Sequence, residues 1–153
     1  MSYICATGET WYPVGESVRY EIRGKLAPSL NAKDVVLYIA NEWGNHATLN
    51  IDFVGPGIAN MSMDSRRTLA TMCAEVSAEF AVFEADDVCE AHVMARNPGA
   101  EFEAQSADED ANYVARRIID LDQITPLVAY PDTVVKNAHP VHEAHNVRID
   151  QAF

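Results

Sequence analysis

The sequence predicts an α/β domain in which helices pack on a sheet. Residues 16–24 alternate apolar and polar with the two-residue period of a strand. Residues 31–44 carry apolar side chains at the 3.6-residue period of a helix. Segments of these two kinds then take turns along the chain.

The elements follow in order. Val18, Tyr20 and Ile22 share one face of the first strand, with Arg19, Glu21 and Arg23 on the other, so one side is buried and one is wet. Leu26-Ala27-Pro28-Ser29 reads as a turn. Asn31 is placed to cap a helix with Asp34 in its first turn, Val35, Val36, Ile39, Ala40 and Trp43 line one face, and Gly44 closes it. Residues 48–54 form a second strand with Leu49, Ile51 and Phe53 on one side, broken by Gly55-Pro56-Gly57, a tight turn suited to glycine. Ser62 and Asp64 can cap a helix over residues 65–78 with Leu69, Met72, Cys73 and Val76 inward. Residues 80–83 read as a short buried strand. Asp86 and Asp87 start a helix that Asn97-Pro98-Gly99 ends. Residues 101–112 are acidic and weakly patterned, a loop; residues 113–121 hold a strand around Arg117-Ile118-Ile119. From 125 to 147 prolines and histidines replace periodicity, which predicts an extended connection and a boundary near Asp122. The expected division is therefore 1–122 as the α/β domain and 123–153 as the connection.

Composition narrows the function classes. The chain has 153 residues, long enough for one domain with a real core, and 48% of them are apolar. Acids outnumber bases 23 to 11, a formal charge of -12 spread along the chain. Such a surface repels phosphate backbones and anionic lipid, so neither nucleic acid nor membrane is an expected partner. Met1-Ser2-Tyr3-Ile4-Cys5 lacks a basic region followed by a long apolar run, so no secretion signal is expected and the cytoplasm is the expected compartment. Cys5, Cys73 and Cys89 form no Cys-x-x-Cys pair, a pattern of unpaired thiols in a reducing compartment.

Other constellations are weaker. His139, His142 and His145 invite a zinc site, but Pro140 disfavours a helix that would align them, and solvated loop histidines are expected instead. Asp86-Asp87 and Asp108-Glu109-Asp110 lack the alternate oxygens and central glycine of a calcium loop and read as a cap and a solvated loop. Trp11 and Trp43 are expected to be packing residues, with nothing beside them that suggests a stacking platform for bases.

One resemblance spans nearly the whole chain. Thr7-Gly8-Glu9-Thr10-Trp11, Pro13-Val14-Gly15-Glu16-Ser17-Val18-Arg19, Gly24-Lys25-Leu26, Ala32-Lys33-Asp34-Val35, Gly55-Pro56-Gly57-Ile58, Met61-Ser62-Met63, Met72-Cys73-Ala74-Glu75, Tyr130-Pro131-Asp132 and His139-Pro140-Val141 keep the order and spacing of the aconitase superfamily. The likeness is strongest to the large subunit of its isopropylmalate dehydratase branch.

The resemblance implies a three-layer α/β/α domain of the aconitase type, plus the extended C-terminal connection. It implies a hydro-lyase that moves a hydroxyl between neighbouring carbons of a hydroxy di- or tricarboxylic acid, in the leucine-biosynthetic branch. In the complete enzyme a [4Fe-4S] cluster with one iron not held by cysteine would act as Lewis acid. A serine on a small swivelling subunit or domain would take the carbon-bound proton. It implies, too, that the family's cysteine-bearing Gly-Ser-Cys-Thr-Asn-Gly segment lies just beyond Phe153. This chain would then be an internal piece of a larger subunit, expected to bind no cluster and to catalyse nothing alone, with the remaining domains and the small subunit as its partners.

Two catalytic candidates come with the resemblance. Glu75 matches a glutamate beside the open iron that handles the proton of water. Thr71 stands where the family usually has asparagine, and Ser77 where it prefers glycine. These departures support an alternative, a free-standing aconitase-like interaction module without catalysis.

Overall fold

In the computed structural model, residues 2–145 and 147–151 are described. Met1, Asn146, Ala152 and Phe153 lie outside the described residues, and with them the expected approach to a cluster-binding loop at Phe153. The elements are α1 (Ser2–Thr7), β1 (Glu16–Arg23), α2 (Ala32–Glu42), β2 (Leu49–Val54), α3 (Met63–Met72), β3 (Phe80–Phe83), α4 (Asp87–Arg96), β4 (Ala115–Asp120), β5 (Leu127–Ala129) and β6 (Ala138–Pro140). Short 3-10 turns join several of them.

The first four strands make one all-parallel sheet in the order β3-β2-β1-β4. Register aligns Val18 with Ile51 and Ala115, Tyr20 with Phe53 and Arg117, and Ile22 with Ile119, so these side chains share a face. Helix α2 lays Val35, Val36, Ile39 and Ala40 on that face, and α3 adds Leu69; all are buried. The α/β arrangement expected from the sequence is the one present. Asn31 caps α2 with a complete capping box: its side chain accepts from the Lys33 amide while Asp34 accepts from the Asn31 amide. Gly55 has φ of 100°, and a Cβ there would lie 2.7 Å from the Ile22 carbonyl oxygen. One on Gly57 would meet the same strand. Both glycines let the turn sit on the end of β1.

Three details differ from the sequence reading. β3 is an edge strand, with Phe80 and Val82 51% and 56% exposed. A four-residue apolar run does not itself report an edge position. Trp11 is 84% exposed and lies outside the core, whereas Trp43 packs against Tyr20 and Tyr38. Residues 125–147 include an antiparallel hairpin of β5 and β6, its strands too short to show a period, and the hairpin lies against α2. Helices α2 and α3 cover one face of the sheet, and α4 lies against α3. On the opposite face Tyr113 lies over Arg19 and Asp52, while Val82 and Ile118 stay exposed.

A polar group sits inside the covered face. His46 is 1% exposed; its Nδ1–H donates to the Gly44 carbonyl (2.8 Å), which leaves Nε2 to accept from the Tyr20 hydroxyl (2.6 Å). Burial pushes the Tyr20 hydroxyl up to about 12. Burial, aided by the Arg117 guanidinium 3.2 Å from Nε2 and opposed by the Gly44 bond, holds the His46 imidazole below its ordinary value.

A lowered folded-state value means that the unfolded chain takes up the proton first as pH falls. The contribution of His46 is thus complete above about pH 7 and is lost as pH drops below about 6.5 toward the folded-state value. Urea unfolding of the wild type and His46→Asn across that range should show the steeper loss in the wild type; parallel curves would refute the assignment.

Candidate functional site

The candidate residues lie where α3 ends. Ser62 caps this helix by accepting from the Ser65 amide (3.2 Å). Arg66, Leu69, Cys73 and Val76 fall on the buried side at helical spacing. The same periodicity sends Thr71, Ala74 and Glu75 to solvent, and all three are exposed. The helix starts two residues earlier than the sequence suggested, and it stops at Met72. Its last turn tightens into a 3-10 turn over Cys73–Val76, which carries Glu75.

This turn is held from inside. Cys73 and Val76 are buried, the Ala78 amide donates to the Cys73 carbonyl (3.1 Å), and the Val76 carbonyl accepts from the His46 amide (2.7 Å). None of the ion pairs among the described residues includes Glu75. Its carboxylate thus stands on a fixed backbone with its lone pairs unspent. Thr71 joins two shallow depressions. One, of about 320 Å³, is shared with Ala74, Glu79 and Phe80; the other, of about 410 Å³, is shared with Lys33, Asp64 and Arg67.

Ser77 closes the turn at φ 64°, ψ 24°, the left-handed region. This gives a backbone reason for a glycine preference at the position, independent of chemistry.

Sequence reasoning missed Arg66. It is 2% exposed, pairs with both Asp86 oxygens (2.6 and 2.7 Å), and donates to the carbonyls of Ile58 (2.8 Å) and Met61 (3.2 Å). One guanidinium thus ties α3 to the turn before it and to the N-cap of α4. The bond from Arg66, foremost, holds the Asp86 carboxyl below its usual range. The available signal was a charge within the apolar stripe of α3. On the sheet face opposite α2 and α3, Asp52 accepts from Arg19 Nε (3.1 Å) and the Tyr113 hydroxyl (2.7 Å), beside a cavity of about 400 Å³.

The cysteines do not form a cluster-binding set. Cys5 is exposed on α1, Cys89 is half-buried on α4, and Cys73 is buried with its thiol pushed up to about 12, away from the thiolate that iron requires. No group of three His, Cys, Asp or Glu residues converges among the described residues. His139 stacks on Tyr130 at 4.5 Å between ring centres.

Residues 2–152 match the aconitase family (aconitate hydratase). The chain belongs to the aconitase family. It is 41% identical over 150 residues to a 3-isopropylmalate dehydratase large subunit of Mycolicibacterium smegmatis, covering 98% of this chain and 35% of that protein. The same-named subunit of Clostridium kluyveri is 35% identical over 148 residues, 95% of this chain and 35% of its own length. A probable methanogen homoaconitase large subunit of Methanothermobacter thermautotrophicus is 37% identical over 155 residues, 100% of this chain and 36% of its own. The chain thus spans about a third of the length of these aconitase-family relatives. No helix among the described residues is long and apolar enough to cross a membrane.

Replacing Ser77 by glycine removes left-handed strain of about 1 kcal/mol and returns part of it as unfolded-state entropy. A net gain of about 0.5 kcal/mol in urea unfolding is expected; a loss of stability would contradict the backbone reading.

Proposed function

We propose that this chain is a segment of an iron–sulfur hydro-lyase of the 3-isopropylmalate dehydratase type, acting in leucine biosynthesis in the cytoplasm. The full enzyme would isomerise a hydroxy di- or tricarboxylic acid by dehydration and rehydration. The observation that carries this reading is a match to dehydratase large subunits over 95–98% of the chain that extends across the turn bearing Glu75. On this reading 1–122 is the α/β domain and 123–153 a connection that docks its hairpin back on α2. The [4Fe-4S] cluster would be held by the rest of the large subunit, since this chain's own thiols do not fit it. A small subunit would be the partner, as the relatives' designation as large subunits suggests.

The role assigned to this chain's own residues is limited. Glu75 is the proton-handling carboxylate: charged, it takes a proton from water; protonated, it gives one to a departing hydroxyl. The 3-10 turn fixes its backbone, so orientation does not have to be found at each turnover. Thr71, on the same surface, supplies a hydroxyl that can donate to or accept from substrate. The left-handed backbone at Ser77 gives the glycine preference there a conformational cause, so this departure bears on backbone strain and not on chemistry, which weakens the case for a non-catalytic module.

The parent enzyme, assembled with cluster and small subunit, should convert 3-isopropylmalate through its unsaturated acid, followed by ultraviolet absorbance. Glu75→Gln should lower kcat by about 10²–10⁴-fold with the cluster spectrum unchanged. The isolated 153-residue chain should give no turnover. A cluster-loaded parent inert toward hydroxy acids would overturn the activity, and full kcat in the Glu75→Gln enzyme would overturn the assignment of Glu75.

A further inference from the structure

Arg117 is a guanidinium in an unusual position. It lies on β4, an edge strand, on the face that carries Tyr20 and Ile119. Its Nη1 donates to the Tyr20 hydroxyl (2.5 Å). Its Cζ lies over two aromatic rings, 5.5 Å from the centre of Tyr20 and 5.4 Å from that of Trp43. Packing and the Tyr20 bond therefore hold the group in place, where an ordinary surface arginine would sample many rotamers.

What it lacks is an acid. None of the ion pairs among the described residues includes Arg117, in a chain where acids outnumber bases 23 to 11. The neighbouring C-terminus of α2 is served separately by Lys136, whose Nζ donates to the Glu42 carbonyl (2.6 Å). Among the described residues Arg117 is bonded through Nη1 alone, and Nε and Nη2 have no protein acceptor. Asn50 Oδ1 is the one buried side-chain polar atom without a partner among the described residues, so those N–H groups reach solvent. Nε–H and Nη2–H form the parallel fork that fits both oxygens of one carboxylate.

We propose that Arg117, seated against Trp43 and Tyr20, is a carboxylate-binding point at the edge of β4. The carboxylate belongs either to a free organic acid or to an Asp or Glu side chain of a protein segment laid along that edge; the chemistry of recognition is the same. This inference does not depend on the catalytic reading of Glu75.

The test uses Trp43 as reporter. The chain has two tryptophans, so Trp11→Phe leaves Trp43 alone. Its fluorescence is titrated at constant ionic strength with succinate, and separately with a capped extended peptide bearing one central glutamate or, as control, glutamine. Saturable quenching by succinate that vanishes in Arg117→Gln and weakens about tenfold in Arg117→Lys, which keeps the charge but loses the fork, supports the site for a free acid. Binding of the glutamate peptide at least about tenfold tighter than succinate, absent with the glutamine peptide, supports it for a protein side chain. No saturation with either probe, or equal responses in all three proteins, overturns it. If Arg117→Gln fails to fold by circular dichroism, Arg117→Lys decides alone.

Discussion

β1 is hydrogen-bonded on both sides, to β2 along Glu16–Glu21 and to β4 along Val18–Arg23, and every other layer takes its position from it. Its alternation is what makes this possible. Val18, Tyr20 and Ile22 are fully buried beneath the helices, while Arg19 faces the opposite side and pairs with Asp52 on the neighbouring strand. A one-residue slip would bury Arg19 and Glu21 under α2 and expose Tyr20, so register is strongly specified. Tyr20 is central because its hydroxyl needs a partner once buried. His46 and Arg117 answer that need from the loop after α2 and from β4, bringing three distant parts of the chain to one point.

That buried group also bears on the candidate site. The ring of His46 is fixed by Gly44 and Tyr20, and its backbone amide donates to the Val76 carbonyl, at the end of the turn that holds Glu75. Together with Arg66, which ties α3 to the preceding turn, this means that the exposed carboxylate stands on backbone braced from both ends of its helix. The arrangement suits a group that must meet a reactant in one geometry, with rigidity supplied by buried polar contacts well away from the surface where chemistry would occur.

Much of this was legible in the chain. β1 and α2 show clean periods of two and 3.6, and Asn31, Ser62 and Asp86 announce helix starts because a short polar side chain before an apolar stripe has one efficient use. Gly55 and Gly57 were readable as a turn, though not as a close approach to β1. What escaped was non-local. Phe80 and Val82 pair with Asn50 and Asp52 on the face of the sheet opposite α2 and α3, and a four-residue apolar run does not report which face the helices cover. Trp11 looks like a core residue by type alone. The Arg66–Asp86 pair spans 20 residues and the Tyr20–Arg117 bond 97, distances over which spacing carries no signal. Glu75 gave no signal of its own; an exposed helix-end glutamate becomes a candidate only through the family likeness.

The separation of 97 residues between Tyr20 and Arg117 has a kinetic consequence. Joining ends that far apart costs roughly 4 kcal/mol of chain entropy before any contact is gained. The units β1-α2-β2 and β2-α3-β3 close over much shorter loops and can assemble while synthesis continues. β4 must wait until the chain has grown past it, so the edge of β1 that it covers, with Tyr20 still lacking its cation, spends the early life of the molecule bare. A parallel sheet built in this order folds slowly for its size and meets its greatest hazard of mispairing at that one edge, before its last strand arrives.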